Sequence, residues 1–331
     1  MSRLDELIEH SPTLAIMDSF VITNNKVNNP NYKNISASIS GGADSDILLD
    51  ILTKLDTDKK IKYVFFDTGL EYQATKEHLE YLENKYAIEI DRVRAVKPIP
   101  IACRQYGQPF MSKRVSDYIK RLQTNNFEWE DEDFETLYKK YPNCKVALRW
   151  WCNAWPKSKK GYDSQFNISN NKWLKEFMVA NPPNFKISSQ CCEWAKKKVA
   201  HRYQKENAIE LAINGVRKAE GGQRSTIYKN CFSAIEDEAD QYRAIFWYKN
   251  EDKEAYEDTF NVTHSKCYSC YGLKRTGCAG CPFGRDFEQE LEVIEKYEPK
   301  LYKAVNNIFG DSYEYTRKYR EFVKQMEEIN E

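Results

Sequence analysis

The chain has 331 residues, 41% of them hydrophobic, with 50 basic and 50 acidic side chains. That length and apolar content suit one large domain or two modest ones, and exclude a disordered or low-complexity chain. The balanced charge gives no overall attraction toward a polyanion, so a nucleic-acid acceptor would need a local basic patch.

The opening MSRLDELIEH is charged within its first residues and lacks the apolar core of a secretory leader, and no later run is long enough to span a bilayer. A cytoplasmic protein without a membrane partner is the expectation. In a reducing compartment, ten cysteines point to metal ligation or thiol chemistry rather than disulfides.

Residues 35–39 (ISASI) alternate small and β-branched side chains, stop at Gly41-Gly42, and give way to Ile47, Leu48, Leu49, Ile51 and Leu52 at helical spacing. A strand, a glycine turn and a helix are predicted. The run IKYVFFD, residues 61–67, reads as a second strand ending in Asp67-Thr68-Gly69, followed by a helix over 72–86. This β-α-β-α order implies a parallel sheet covered by helices. From about 98 to 190 the periodicity fades: EWEDEDFETLYKKYP reads as a solvated helix and RWWCNAWPKSKKG as an ordered aromatic loop, together an insertion or lid. A strand over 209–214 resumes the sheet and ends at Gly215-Val216-Arg217. Residues 286–331 read as amphipathic surface helices.

The string Ser40-Gly41-Gly42-Ala43-Asp44-Ser45 follows a strand and opens a helix. Backbone N–H groups and the helix N-terminus then converge on one point, and the glycines remove the Cβ atoms that would block an anion. Glycines and a cap alone also suit an ordinary β-α turn. The full string resembles the PP-loop of ATP pyrophosphatases, which cleave ATP between the α and β phosphates. FFDTGLEYQAT (65–75) and NGVRKAEGGQR (214–224) resemble segments of the phosphoadenosine-phosphosulfate reductases and their relatives.

The resemblance implies a Rossmann-like adenine nucleotide alpha hydrolase fold over 1–285, with the insertion at about 98–190, a cysteine loop at 264–285 and a helical segment at 286–331. It implies that Ser40, Gly41, Gly42, Asp44, Ser45, Asp67, Thr68, Gly69, Gly215, Arg217 and Arg224 bind the nucleotide. Asp44, Asp67 and Arg217 take the catalytic positions, with Mg²⁺ accompanying ATP. Asp67 suits a ribose hydroxyl, an amino group or the Mg²⁺ ion, and the arginine forks suit phosphate or sulfate oxygens. A surface ion pair is the plainer reading of each arginine.

Cys278-Ala279-Gly280-Cys281 places two thiols in a glycine turn closed by Pro282, a pattern shared by zinc sites, iron–sulfur sites and redox dithiols. The adjacent Cys191-Cys192 supply a second pair. A tandem pair followed by C-x-x-C is similar to the cluster motif of assimilatory adenosine-phosphosulfate reductases. It implies a four-iron four-sulfur cluster on Cys191, Cys192, Cys278 and Cys281, with Lys196 offsetting thiolate charge beside it. Zinc is the alternative metal, Cys267 and Cys270 the alternative ligands, and core packing the reading of Cys103, Cys144, Cys152 and Cys231.

The family's sulfite-forming members carry a nucleophilic cysteine near the C-terminus, whereas here the last cysteine is Cys281. The resemblance therefore implies adenylation by ATP coupled to sulfur transfer, as in relatives that thiolate tRNA bases or the DNA backbone. It also implies a sulfur donor or reductant protein as partner. The alternatives are a sulfonucleotide reductase using Cys267 or Cys270, and a non-catalytic nucleotide sensor with a structural metal. Arg149, Trp150, Trp151 and Trp155, with Lys157, Lys159 and Lys160, offer a stretch suited to base stacking or, equally, a hydrophobic lid.

Overall fold

The computed structural model describes residues 1–221 and 227–330. The chain divides into two compact units, one of residues 1–98 and 195–279, the other of 99–194 and 280 onward.

The first unit is built on a sheet whose strands are β1 (Ile35–Ser38), β2 (Ile61–Asp67), β3 (Ile90–Arg94), β4 (Leu211–Asn214), β5 (Phe232–Ser233) and β6 (Asp240–Arg243). Their order is β3-β2-β1-β4-β6-β5, and only the short β5–β6 pair is antiparallel. Ile35 of β1 lies opposite both Ile61 of β2 and Leu211 of β4, so the carboxyl ends of these three strands share one edge. The chain leaves β1 toward β2 and β3, then returns to β4 on β1's other side. Open α/β sheets bind ligands at such a reversal.

The helix Ala43–Leu55 is buried on two faces. Leu48, Leu49 and Leu52 pack with Ile35, Ala37 and Phe65 of the sheet. Ile47, Ile51 and Leu55 pack with Ile16 and Phe20 of the helix Leu14–Val27 and with Ile245, Tyr248 and Tyr256. The expected Rossmann-like parallel sheet flanked by helices is present. The strand expected at 209–214 begins at Leu211, and the helix expected from 72 begins at Gln73 with Tyr72 as its N-cap. β3 escaped the sequence reading because IDRVR buries only Ile90, as a charged edge strand does.

The second unit is helical, with a core of Phe110, Ile119, Leu122, Trp150, Trp151 and Phe177 joined by Tyr315 and Tyr319. Trp150 and Trp151 therefore do not form a stacking surface. They end the helix Lys145–Trp151 inside the core, and the Trp151 indole N–H donates to the Glu130 carbonyl at 2.8 Å. The C-terminal helices, Phe287–Tyr297 and Pro299–Asn330, bury Phe287, Leu291, Val305, Phe309 and Tyr313. The longer of the two joins this core through Tyr315 and Tyr319. Among the described residues, no helix is long and apolar enough to cross a membrane.

Candidate functional site

The loop after β1 stands at the sheet reversal. Gly41 takes a φ of +67°, and a Cβ there would lie 2.8 Å from Thr75 Cγ2, so the turn requires glycine. The N–H groups of Ser40 and Gly42 both donate to Ser45 Oγ, at 3.2 and 3.1 Å. The expected convergence of loop donors is thus present, with the loop's own hydroxyl at its focus. The next N–H, of Ala43, donates to the Tyr268 hydroxyl at 3.0 Å. Gly215, just past β4, comes so close that a Cβ would lie 2.9 Å from the Asp44 carbonyl oxygen.

A cleft of about 420 Å³ opens over this loop. Ser40, Gly42, Asp44, Ser45, Gly215 and Arg217 line it, as do Asn214, Glu220, Lys253, Tyr268, Lys274, Arg275 and Thr276. Arg217 is 7% exposed, with its Nε 3.0 Å from Asp44 Oδ1 and its guanidinium donating to Asn250 Oδ1 at 3.2 Å. Lys253 lies 3.6 Å from the same Asp44 oxygen. Arg224 lies outside the described residues.

Asp67, Thr68 and Gly69 form a separate turn at the end of β2 and are not among the residues lining this cleft. Gly69 N–H donates to Asp67 Oδ1 at 2.8 Å. Thr68 is buried, and its hydroxyl donates to Glu71 Oε1 at 2.5 Å and approaches Cys278 Sγ at 3.8 Å. Burial raises the Glu71 carboxyl above the usual carboxylate range, opposed by Thr68 and by the charge of Lys196. Lys196 belongs to this unit and acts electrostatically on Glu71.

Behind the loop, Asp46 is fully buried, with its Oδ2 2.8 Å from His264 Nδ1 and 3.1 Å from His78 Nε2. His264 Nε2 in turn pairs with Glu257 Oε1 at 2.8 Å. Burial opposes charge on His264, but the hydrogen bonds with Asp46 and Glu257 outweigh it and raise its pKa to about 9. Because the folded value lies above the usual ~6.5, this stabilisation is complete below pH ~6.5 and is lost as pH rises through about 9. The wild type's stability to urea is expected to fall over that window, and His264→Gln to flatten the dependence; an equal slope in both would remove His264 as its source.

The cysteines fall in both units. Cys267 is fully buried with Thr75 Oγ1 3.7 Å from its sulfur, Cys270 is exposed, and Cys278 is buried near Thr68. In the helical unit, Cys191 hydrogen-bonds with Cys103 and Cys192, and Cys281 acts on it electrostatically. Contact with Cys103, followed by burial and Cys281, pushes the Cys191 thiol up, against a lowering by Cys192. Cys103 is buried as expected, but it also belongs to this thiol group, which its isolated position in the sequence did not signal. A π-helical turn, Glu193–Lys197, follows the tandem pair directly. In the turn after Cys278, Gly280 has a φ of +60°, and its N–H donates to Glu290 Oε1 at 3.1 Å. Among the described residues, no group of three or more His, Cys, Asp or Glu side chains is arranged to hold a metal ion.

Arg217→Ala is expected to weaken nucleotide or inorganic pyrophosphate binding by about 1.5–3 kcal/mol, the range of a lost charge-assisted hydrogen bond. Titration calorimetry measures this, and unchanged affinity would leave Arg217 as a structural partner of Asp44 alone.

Residues 34–143 match the model of the phosphoadenosine phosphosulfate reductase domain. The match holds β1 to β3 with the Ser40-to-Ser45 and Asp67-to-Gly69 loops and bears out the resemblance drawn from those motifs; NGVRKAEGGQR lies beyond it. The chain is also 38% identical over 91 residues to the uncharacterized protein MJ0066 of Methanocaldococcus jannaschii, covering 28% of this chain and 18% of that protein. The chain thus spans under a fifth of that relative's length.

Among solved structures, it is similar to phosphoadenylyl-sulfate reductase from Candida auris in a phosphate complex, at 14% identity and a TM-score of 0.41, over 83% of this chain and 93% of that one. It is similar to the U34-tRNA thiolase NcsA from Methanococcus maripaludis with its [4Fe-4S] cluster, at 11% identity and 0.38, over 92% and 78%. A third is the NH3-dependent NAD synthetase from Campylobacter jejuni, at 11% identity and 0.37, over 96% and 97%. These likenesses are distant.

Proposed function

We infer that this chain, whose residues 34–143 match the phosphoadenosine phosphosulfate reductase domain, is an adenine-nucleotide enzyme that activates an acceptor with ATP in a sulfur-transfer reaction. One observation carries the reading. The SGGADS loop stands at the sheet reversal, its N–H groups converge on hydroxyl oxygens, and basic residues from three other segments line the cleft over it.

In the reaction proposed, an acceptor oxygen attacks the α-phosphorus of ATP, the α–β bridging bond breaks, and pyrophosphate leaves with that electron pair. Fixed donors aimed at the departing charge lower such a barrier without reorganising during the step. The amides of Ser40 and Gly42 supply these donors once phosphate oxygens replace the Ser45 hydroxyl. Arg217 and Lys253 add positive charge, while Asp44, held between them, keeps their orientation. Asp67 is the proposed carboxylate for the nucleotide's ribose or its Mg²⁺.

The spacing of the cysteines in the sequence, a tandem pair followed by C-x-x-C, also supports a thiolate-bound metal. Cys191, Cys192 and Cys281 belong to one unit. Cys191, Cys192 and Cys281 interact within their unit. We assign Cys191, Cys192, Cys278 and Cys281 as ligands of a four-iron four-sulfur cluster, which when bound supplies a site for sulfur or electrons.

The test is anaerobic incubation with ATP and with a sulfonucleotide. Pyrophosphate release from ATP supports this reading. Sulfite release from the sulfonucleotide replaces it with a reductase, and nucleotide binding with neither product replaces it with a sensor.

A further inference from the structure

We propose that residues 268–276 are a strap that grips the outer phosphates of a nucleoside triphosphate, so that the cleft selects nucleotides carrying a pyrophosphate. The proposal rests on the reading of the cleft as a nucleotide phosphate site.

The strap is pinned at both ends inside its own unit. At one end Cys267 is fully buried beside Thr75, and the Leu273 N–H donates to its carbonyl at 2.9 Å. At the other, Cys278 is buried beside Thr68, and the Ala279 N–H donates to the Leu70 carbonyl at 3.0 Å. Between these anchors, Tyr268, Lys274, Arg275 and Thr276 line the cleft. Lys274 and Arg275 are exposed, so their charges keep their hydration until an anion arrives.

Charge sets the class of ligand. The lining holds four cations, Arg217, Lys253, Lys274 and Arg275, against two carboxylates, Asp44 and Glu220, an excess of two positive charges. A single sulfate ester or a nucleoside monophosphate satisfies less of that excess than the β and γ phosphates of a triphosphate.

Tyr268 gives the strap a direct hold on the loop. Its oxygen accepts from the Ala43 N–H at 3.0 Å and lies 3.1 Å from Thr276 Oγ1. It therefore sits where a loop amide would meet a phosphate oxygen. When Thr276 donates to it, the phenol proton is released toward the cleft as a donor to the anion. Lys274 and Arg275 follow on the same strap, farther along the chain from this contact.

The experiment is titration calorimetry of the full chain with ATP, AMP and inorganic pyrophosphate. The proteins are the wild type, Tyr268→Phe and the double variant Lys274→Ala, Arg275→Ala. The double variant is expected to lose ATP and pyrophosphate affinity by about tenfold or more while AMP stays within about twofold, and Tyr268→Phe to lose about tenfold for pyrophosphate. Normal circular dichroism and thermal unfolding in each variant separate binding from folding. If ATP and AMP weaken alike, or if neither changes, the strap is overturned while the phosphate loop stands. If the wild type binds none of the three ligands, the phosphate-site reading itself fails.

Discussion

Gly42→Val is expected to abolish nucleotide binding while the protein still folds. Gly42 has a φ of −97° and a ψ of 158°, which a valine backbone adopts without strain. The side chain meets the opposite situation. A Cβ on Gly42 would lie 3.0 Å from Thr276 Oγ1, 3.3 Å from the Tyr268 hydroxyl and 3.4 Å from Ser40 Oγ. Valine's two methyl groups extend from that crowded point into the space above the loop amides. Gly41→Val differs in kind, because both its φ of +67° and the 2.8 Å approach to Thr75 Cγ2 strain the fold itself. Thermal unfolding should therefore fall for Gly41→Val and stay near wild type for Gly42→Val, with ATP affinity lost in the latter. Wild-type ATP affinity in Gly42→Val would remove the loop from the site.

The parts of the site that could be read in the sequence are those set by short-range chemistry. β1 and β2 announce themselves through compact apolar runs, and the loop between β1 and its helix through glycines followed by helical periodicity. β3 is a charged edge strand and β6 is only the four residues DQYR, so neither shows a clear alternation. The two buried tryptophans lay in a string rich in lysine and proline, and only their packing reveals a core. The remainder of the cleft is assembled by the fold. His264 reaches Asp46 across 218 positions of chain and Tyr268 reaches Ala43 across 225, separations that no local pattern encodes. Lys274, Arg275 and Thr276 were in plain view in HSKCYSCYGLKRTGC, but the cysteines drew the chemical reading of that string and the cations between them did not. Lys253 carries no signal, being one lysine on a mixed-charge helix.

The second large effect concerns the cysteines. Protein prepared without oxygen is expected to be brown, with visible absorbance toward the blue and about four irons per chain, as a thiolate-bound four-iron cluster requires. Cys191 has thiols as its partners, and Cys103, its first neighbour, pushes its proton affinity up. Such a group stays protonated unless a strongly charged centre replaces the protons, so metal uptake should release protons and weaken as pH falls. The cluster would also tie the Cys191–Cys192 turn to the turn holding Cys281, closing a long stretch of chain that otherwise costs ordering entropy. Cys278→Ser and Cys281→Ser are each expected to lose the iron and the visible band and to unfold at lower urea. Four-coordinate zinc without iron in the wild type would refute the cluster. Iron retained in the Cys191→Ser, Cys192→Ser double variant but lost on changing Cys267 or Cys270 would move the ligands to the strap.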